Sequence, residues 1–342
     1  MPPNDHSASG STIRASSGDT RELDAVMAIV VTYNRKSLLL ECIRGLASQT
    51  KPLAGIVLVD NASTDGTPQF LHEQGIIGQC PPEIQPESWE ISSYPKIFSG
   101  IPLIYIRMAE NSGGAGGFHE GVKRAYQEKV DWFWIMDDDI EPDAHCLEGL
   151  LSFSDISRCI HPRKYFLDGL PFNWEGYYDY RTGRRVFLPD TSFAKGFSFC
   201  TTNTGCFEGM LIHRKIVDKI GFPDKRFFIG LDDSTYGFLA HFHTAVLYVR
   251  DPFIVKKCIY DKDNNPISDR SIYYGMRNTF LFQSYMNKTV PSGKHIRTFF
   301  MIAKIFDYTI NILQNRKRKW AGYKILFRAV KDGVLGRFGK GM

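Results

Sequence analysis

The sequence predicts an α/β fold built on a doubly wound, mainly parallel sheet, with a mixed second half and helices towards its C-terminal end. Three observations carry that prediction. Short continuous apolar runs recur through the first part of the chain, each ends in polar side chains, and each leads into a stretch of helical periodicity. A strand buried on both faces reads as a continuous apolar run rather than an alternating one. Alternation of such runs with helices is the mark of βαβ units.

The first run is VMAIVVTYNR (26–35), behind which Leu38, Leu39, Cys42, Ile43 and Leu46 form one helical stripe. GIVLVD (55–60) is the second strand, and NASTDGT (61–67) turns into a helix around 68–74. IPLIYIRM (101–108) is the third, followed by NSGGAGGFHEGVKRAY (111–126) and a fourth strand at WFWIM (132–136). Residues 76–100 hold four prolines and no clear period, which reads as a long surface insertion for an acceptor or partner. Past residue 150 the pattern changes. KYFLDG (164–169) and GYYDYRTGRRVFLPD (176–190) suggest hairpins, the second turning at RTGR. RKIVDKIGF (214–222), DSTYGFLAHFH (233–243) and 269–288 read as helices, and PFIVKKC (252–258) as a strand.

Bulk properties bound the function. A chain of 342 residues can bury a full core, and a mean hydropathy of −0.23 argues against many membrane spans. The greasiest stretch, FFMIAKIFDYTINIL (299–313), is interrupted by Lys304 and Asp307, so it is not expected to span a bilayer. Residues 1–24 are polar and rich in Ser and Gly, as in a disordered tail without a signal peptide. Seven scattered cysteines without a CxxC pair point away from a zinc ribbon and a disulfide framework, and towards a reducing cytoplasm. From Arg297 onward there are eleven Lys and Arg against two acids, Asp307 and Asp332. That basic, helix-prone tail suggests peripheral contact with an anionic membrane on its inner face. The alternative is a solvated helical face with a basic turn at 316–319, and no nucleic-acid motif accompanies the charge. The expected division is a tail (1–24), one domain (25–290) with halves 25–150 and 151–290, and a basic helical region (291–342).

The chemistry centres on WFWIMDDDIEPD (132–143). Three like charges at a strand exit need a cation or donors, because a desolvated carboxylate is costly when unmet. The bland alternative is an acidic turn at Pro142. Side chains alternate along a strand, so Asp137 and Asp139 are expected on one face and Asp138 on the other. Two carboxylates on one face suit Mg²⁺ or Mn²⁺, with a diphosphate completing the shell. GGAGG (113–117) fails the dinucleotide fingerprint, its third glycine position falling on His119, yet it permits close approach at a helix start. A flexible turn is the alternative there.

Taken in order, VVTYNR, LVDNASTDGT, NSGGAGGF, WIMDDDIEPD, FIGLDDSTYG and YYGMRN resemble a GT-A glycosyltransferase of the family 2 type, over roughly residues 26–285. The glycine motif with the acidic triplet is most similar to bacterial galactofuranosyltransferases, with rhamnosyltransferases close behind. The resemblance implies an inverting transfer of galactofuranose from UDP-galactofuranose, or of rhamnose from dTDP-rhamnose, onto a glycan or polyprenyl-linked acceptor. It implies Thr32 and Asp60 at the uracil, Arg107 near the base or diphosphate, and Asn111, Gly113 and Gly114 lining the donor pocket. Asp137 and Asp139 would bind ribose and the Mn²⁺- or Mg²⁺-bridged diphosphate, with Asp138 behind them. Asp233 would be the general base, flanked by Asp232; the bland reading of that pair is a capped helix with an acidic first turn.

Two departures from the family pattern stand out. Thr235 replaces a further acid, and Lys257 is expected where the family carries a metal-ligating His, so that its ammonium could meet the diphosphate. His241 and His243 read as structural. Two competing readings, a nucleotidyltransferase and a non-catalytic nucleotide-sugar-binding subunit, fare worse. TYNRKS is not the basic glycine-rich loop the first needs, and keeping both DDD and LDD argues against the second.

Overall fold

The structure is a computed structural model that describes residues 24–83, 85–93, 100–172, 174–189, 193, 195–257, 268–315 and 319–342. Its first half runs β1 (Val26–Thr32), α1 (Lys36–Ala47), β2 (Gly55–Asp60), α2 (Thr67–Glu73), β3 (Trp89–Ser93), β4 (Leu103–Arg107), α3 (Gly113–Gln127) and β5 (Trp132–Asp137). The second half adds β6 (Ile140–Pro142), α4 (Cys146–Leu151), β7 (Cys159–Phe166), β8 (Gly176–Tyr178), β9 (Arg185–Phe187), β10 (Phe199–Thr202), β11 (Met210–His213), α5 (Arg214–Ile220), α6 (Asp232–His241) and β12 (Val246–Lys256). Then come α7 (Asp269–Thr289), α8 (Lys294–Asn315) and α9 (Lys319–Val334).

One sheet follows the order β10-β12-β7-β11-β5-β1-β2-β4-β3, with β6 against β12. Strands β5, β1, β2 and β4 are mutually parallel, as the apolar runs predict. Strand β11 enters antiparallel between β5 and β7 and begins the mixed half. The period of two along β1 divides the core. Val26, Ala28 and Val30 pack with Leu39, Cys42, Ile43 and Leu46 of α1, whereas Met27, Ile29 and Val31 face Phe118, Val122 and Ala125 of α3. Helix α3 lies close because it lacks side chains there: a Cβ on Gly117 would stand 2.5 Å from Val31 Cγ1.

The 76–100 stretch is not structureless. WEISS forms β3, an antiparallel edge strand on β4; residues 84 and 94–99 of that insertion lie outside the described residues, as do 316–318 of the basic turn. The expected tail also lies outside them, apart from Asp24, whose carboxylate accepts a hydrogen bond from the Trp132 indole (3.2 Å). The hairpin β8–β9 forms as expected, and the three helices expected past residue 150 are α5, α6 and α7. Cys42, Cys80, Cys146, Cys159 and Cys206 are free thiols; Cys258 lies outside the described residues. A further apolar cluster joins Ile272, Tyr273 and Met276 of α7 to Met301 and Ile312 of α8 and to Leu326 and Ala329 of α9.

Candidate functional site

The carboxyl ends of β1, β2, β4 and β5 open on one crevice, and the acidic triplet stands at its centre. Strand β5 stops at Asp137, so residues 138 and 139 turn and the expected alternation does not extend through them. Asp138 is buried and accepts from Thr32 Oγ1 (2.6 Å) and Arg35 (3.2 Å). Asp139 is equally buried, with Oδ2 on Arg35 (2.9 Å) and Oδ1 on Lys256 Nζ (3.0 Å). Lys256 also meets Glu208 (2.5 Å). Burial works against the Lys256 charge, but Glu208, Asp137 and Asp139 outweigh it and hold its pKa above the usual lysine range. Burial pushes Asp137 well up, with Lys256 opposing and Asp139 and Glu208 adding to the rise. Asp138 is raised by burial too, against the pull of Thr32 and Arg35.

Lys257 is not the lysine in the crevice. Its ammonium pairs with Glu41 (3.2 Å) and with Glu141 on the outside. Strand β12 carries an irregularity between Tyr248 and Phe253 where its register with β7 shifts, which resets which side chains point inward. Lys256 thus shares a face with buried Ile254, and Lys257 falls on the other.

The described residues do not fit a resident metal ion. No group of three or more His, Cys, Asp and Glu among them is arranged to hold one. Both Asp139 oxygens are engaged by cations, and an ammonium stands between Asp139 and Glu208.

At the other end of the crevice Asp60 is fully buried. It accepts from Ser63 N (2.7 Å), Tyr105 Oη (2.8 Å) and Arg107 (2.6 Å). This network fixes Arg107 over the end of β2, as two strand-end residues in register allow. Asn111 accepts from the Gly113 amide (2.8 Å), and Asn61 ties β2 to the start of α3 by donating to Gly113 O (2.8 Å). Gly113 has φ +75° and abuts the Phe228 carbonyl, which a Cβ would meet at 2.0 Å. Gly114 beside it is open but for Phe118.

Asp232 and Asp233 begin α6, but the cap residue is Leu231 at φ +66°, with no side-chain cap bond. Phe228 also has positive φ; side chains resist that region, at about 1–3 kcal/mol each. The loop is held by the YYGMRN motif. Asn278 Nδ2 donates to the carbonyls of Phe227 (2.9 Å), Ile229 (2.8 Å) and Gly230 (2.9 Å), and Arg277 donates to Phe227 O (2.8 Å). Burial, then the charge of Asp233, pushes Asp232 up to about 7. Asp233 is raised by burial, with Arg185 opposing and Glu208 adding. Glu208 therefore acts on both clusters, and Asp137 and Asp233 share one electrostatic environment. His241 packs on Tyr180 and Phe242, as a structural histidine does.

Four charged residues of this site escape sequence reasoning: Arg35, Arg185, Glu208 and Lys256. Arg35 and Lys256 each border a motif and could be found by asking what neutralises three acids. Glu208 and Arg185 carry no pattern.

The model of the family described as glycosyl transferase family 2 matches residues 27–79 and 87–221. A galactofuranosyltransferase, GlfT1, of Mycolicibacterium smegmatis is 28% identical over 216 residues, 61% of this chain and 63% of that protein. GlfT1 of Mycobacterium tuberculosis is 29% identical over 133 residues, 39% of this chain and 36% of that one. The chain thus spans less than two thirds of the length of these curated relatives. Among solved structures, S. aureus TarS 1-349 in complex with UDP-GlcNAc superposes with a TM-score of 0.55 at 15% identity, covering 91% of this chain and 80% of that one. GalNAc-T7 with UDP, GalNAc and Mn²⁺ gives 0.56 at 15% identity, covering 91% and 55%. Likeness at that identity speaks for the fold, which is GT-A.

Proposed function

The chain belongs to glycosyl transferase family 2 and is a glycosyltransferase, and on that premise we propose that it transfers galactofuranose from UDP-galactofuranose with inversion. One observation supports this above the others: a triplet of acids, of which Asp138 and Asp139 are paired with fixed cations, faces the same crevice as a second acid pair with which no Lys or Arg among the described residues forms an ion pair. The first arrangement suits a diphosphate, the second a proton. Asp60, Arg107 and Thr32 border the place of the uracil, and Asn111, Gly113 and Gly114 the rest of the donor. Asp233 takes the proton of the acceptor hydroxyl as its oxygen attacks the anomeric carbon. The bond from that carbon to the diphosphate oxygen breaks, and its electron pair leaves with UDP. Lys256 and Arg35 stand ready to meet the negative charge that develops there. Mn²⁺ or Mg²⁺ arriving with the donor would first have to draw Lys256 from Asp139.

The galactofuranosyl assignment rests on the similarity to GlfT1, and dTDP-rhamnose is the competing donor. Titration with UDP-galactofuranose, UDP-glucose and dTDP-rhamnose, read by melting temperature and released nucleotide, separates them. UDP-galactofuranose should stabilise the chain most, and a shift with dTDP-rhamnose alone overturns the assignment. A ligand at 100 times its dissociation constant adds about 2.7 kcal/mol.

The acceptor is proposed to be a glycan or polyprenyl-linked glycan met at the inner face of the membrane. Among the described residues no helix is long and apolar enough to cross a bilayer. Helix α8 nevertheless exposes Phe299, Ile302, Phe306, Ile310 and Leu313, each at least half open to solvent and spaced along one face. Lys324, Arg328 and Lys331 on the neighbouring α9 supply charge for anionic headgroups.

A further inference from the structure

The opposite face of α8 looks inward on a cavity of about 480 Å³, within the range of about 300–1,000 Å³ common for small-molecule sites. Its position ties it to the transfer centre. Leu231, which precedes Asp232, forms part of its wall, and so does Tyr178, whose hydroxyl lies in the field of Asp233 and beside Ser234. The remaining walls come from the β8–β9 hairpin, α7 and α8.

The lining is cationic beyond what it neutralises. Arg184, Arg185, Arg297 and Lys304 face a single carboxylate, Asp307. Arg297 is occupied, its guanidinium donating to Asn287 and to the carbonyls of Tyr180, Val290 and Ser292. The other three are not so held. Arg184 lies over the Phe300 ring (5.9 Å). Arg185 donates to Trp174 O, but its buried Nε has no partner among the described residues. A buried donor left unmet is costly, and a ligand could meet it. Lys304 donates to Thr279 Oγ1 (2.8 Å), and burial pushes its ammonium down to about 8 against the pull of Asp307. An anion would relieve both residues, while Tyr178 and Phe300 contribute aromatic surface to the lining.

We propose that this cavity receives the acceptor as an anionic saccharide, its phosphate or carboxylate meeting Arg184, Arg185 and Lys304 and its ring lying between Tyr178 and Phe300. This inference rests on the transferase reading of Asp233 and names the substrate class that reading leaves open. The selectivity is a difference of charge: a neutral sugar would leave the excess positive charge of the lining unanswered.

The test uses the full chain and three probes, methyl glucoside, glucuronate and glucose 1-phosphate, titrated by calorimetry in the presence and absence of UDP. At least one anionic probe should bind ten times more tightly than methyl glucoside, and which one does so tells carboxylate from phosphate. Arg184→Gln, at an exposed position, should remove at least threefold of that preference, and Arg184→Gln combined with Lys304→Gln nearly all of it. UDP affinity should stay within twofold in both variants. Equal binding of charged and neutral probes, no binding of any, or a preference that survives in a folded double variant overturns the proposal. Loss of UDP binding by the unmodified chain is a separate result, striking the transferase reading and not the cavity.

Discussion

Asp137–Asp139 and Asp232–Asp233 are both runs of adjacent carboxylates held largely out of water, yet the chain surrounds them differently. Arg35 and Lys256 reach the triplet at 2.9–3.2 Å. Among the described residues no Lys or Arg forms an ion pair with the second cluster; Arg185 acts on Asp233 from farther away. Burial and mutual repulsion therefore leave Asp232 with a pKa of about 7. Burial raises Asp137 and Asp138 as well, against the pull of Lys256, Thr32 and Arg35, so the clusters differ in the fixed ion pairs that hold one of them in place and not the other. The same residue type does two jobs because its neighbours differ.

The sharpest way to break that contrast is Asp233→Asn. The amide keeps the shape but cannot accept a proton, and loss of a general base costs about 10²–10⁴ in rate. Turnover should collapse in a steady-state transfer assay. Near-normal transfer by this variant, with Asp232→Asn inactive, would assign the base to the neighbour. Next in size is Asp139→Ala, which removes the carboxylate that Arg35 and Lys256 share. Donor affinity and turnover should then fall in parallel, each by about tenfold or more, since the residue serves ground and transition states alike. A drop in turnover alone would mean that Asp139 does not support donor binding.

Lys256→Ala comes third. A hydrogen bond to a charged group contributes about 1.5–3 kcal/mol, so UDP affinity should weaken roughly tenfold or more by calorimetry. Unchanged affinity would remove Lys256 from the donor site. The smallest effect belongs to Asp232→Asn, whose turnover should change only a few-fold. Its signature is in stability. The folded pKa of Asp232 lies above the unfolded one, so folding binds a proton and the wild-type chain loses stability as pH rises from about 4 through 7. Asn has no proton to lose, and melting temperatures of that variant should decline less over this window. Parallel curves would show that Asp232 titrates alike in both states.

The parallel half was legible because β1, β2 and β5 are buried on both faces and so read as unbroken apolar runs. Strand β3 was not, since WEISS is a short edge strand set among prolines, with only partial burial to give it a pattern. The triplet announced itself, but which acid faces what did not: the chain leaves the strand at Asp137 and turns. Lys257 was expected in the crevice because it was matched to the histidine position of the family. Between Tyr248 and Phe253 strand β12 advances five residues against two on β7, and beyond that offset Lys256 shares the face of buried Ile254. The glycines of NSGGAGGF were read for ligand approach, whereas Gly113 and Gly117 press against Phe228 and Val31 of the protein itself. Motifs mark where chemistry sits, and phase decides which side chain performs it.

The division of labour between the clusters is tested most directly by titrating UDP, with chelator present, into the wild-type chain, Lys256→Ala and Asp233→Asn. The account predicts measurable binding by the wild type, affinity within a few-fold of it for Asp233→Asn, and at least tenfold weaker binding for Lys256→Ala. No wild-type binding until Mn²⁺ or Mg²⁺ is restored, or equal weakening in the two variants, would contradict it.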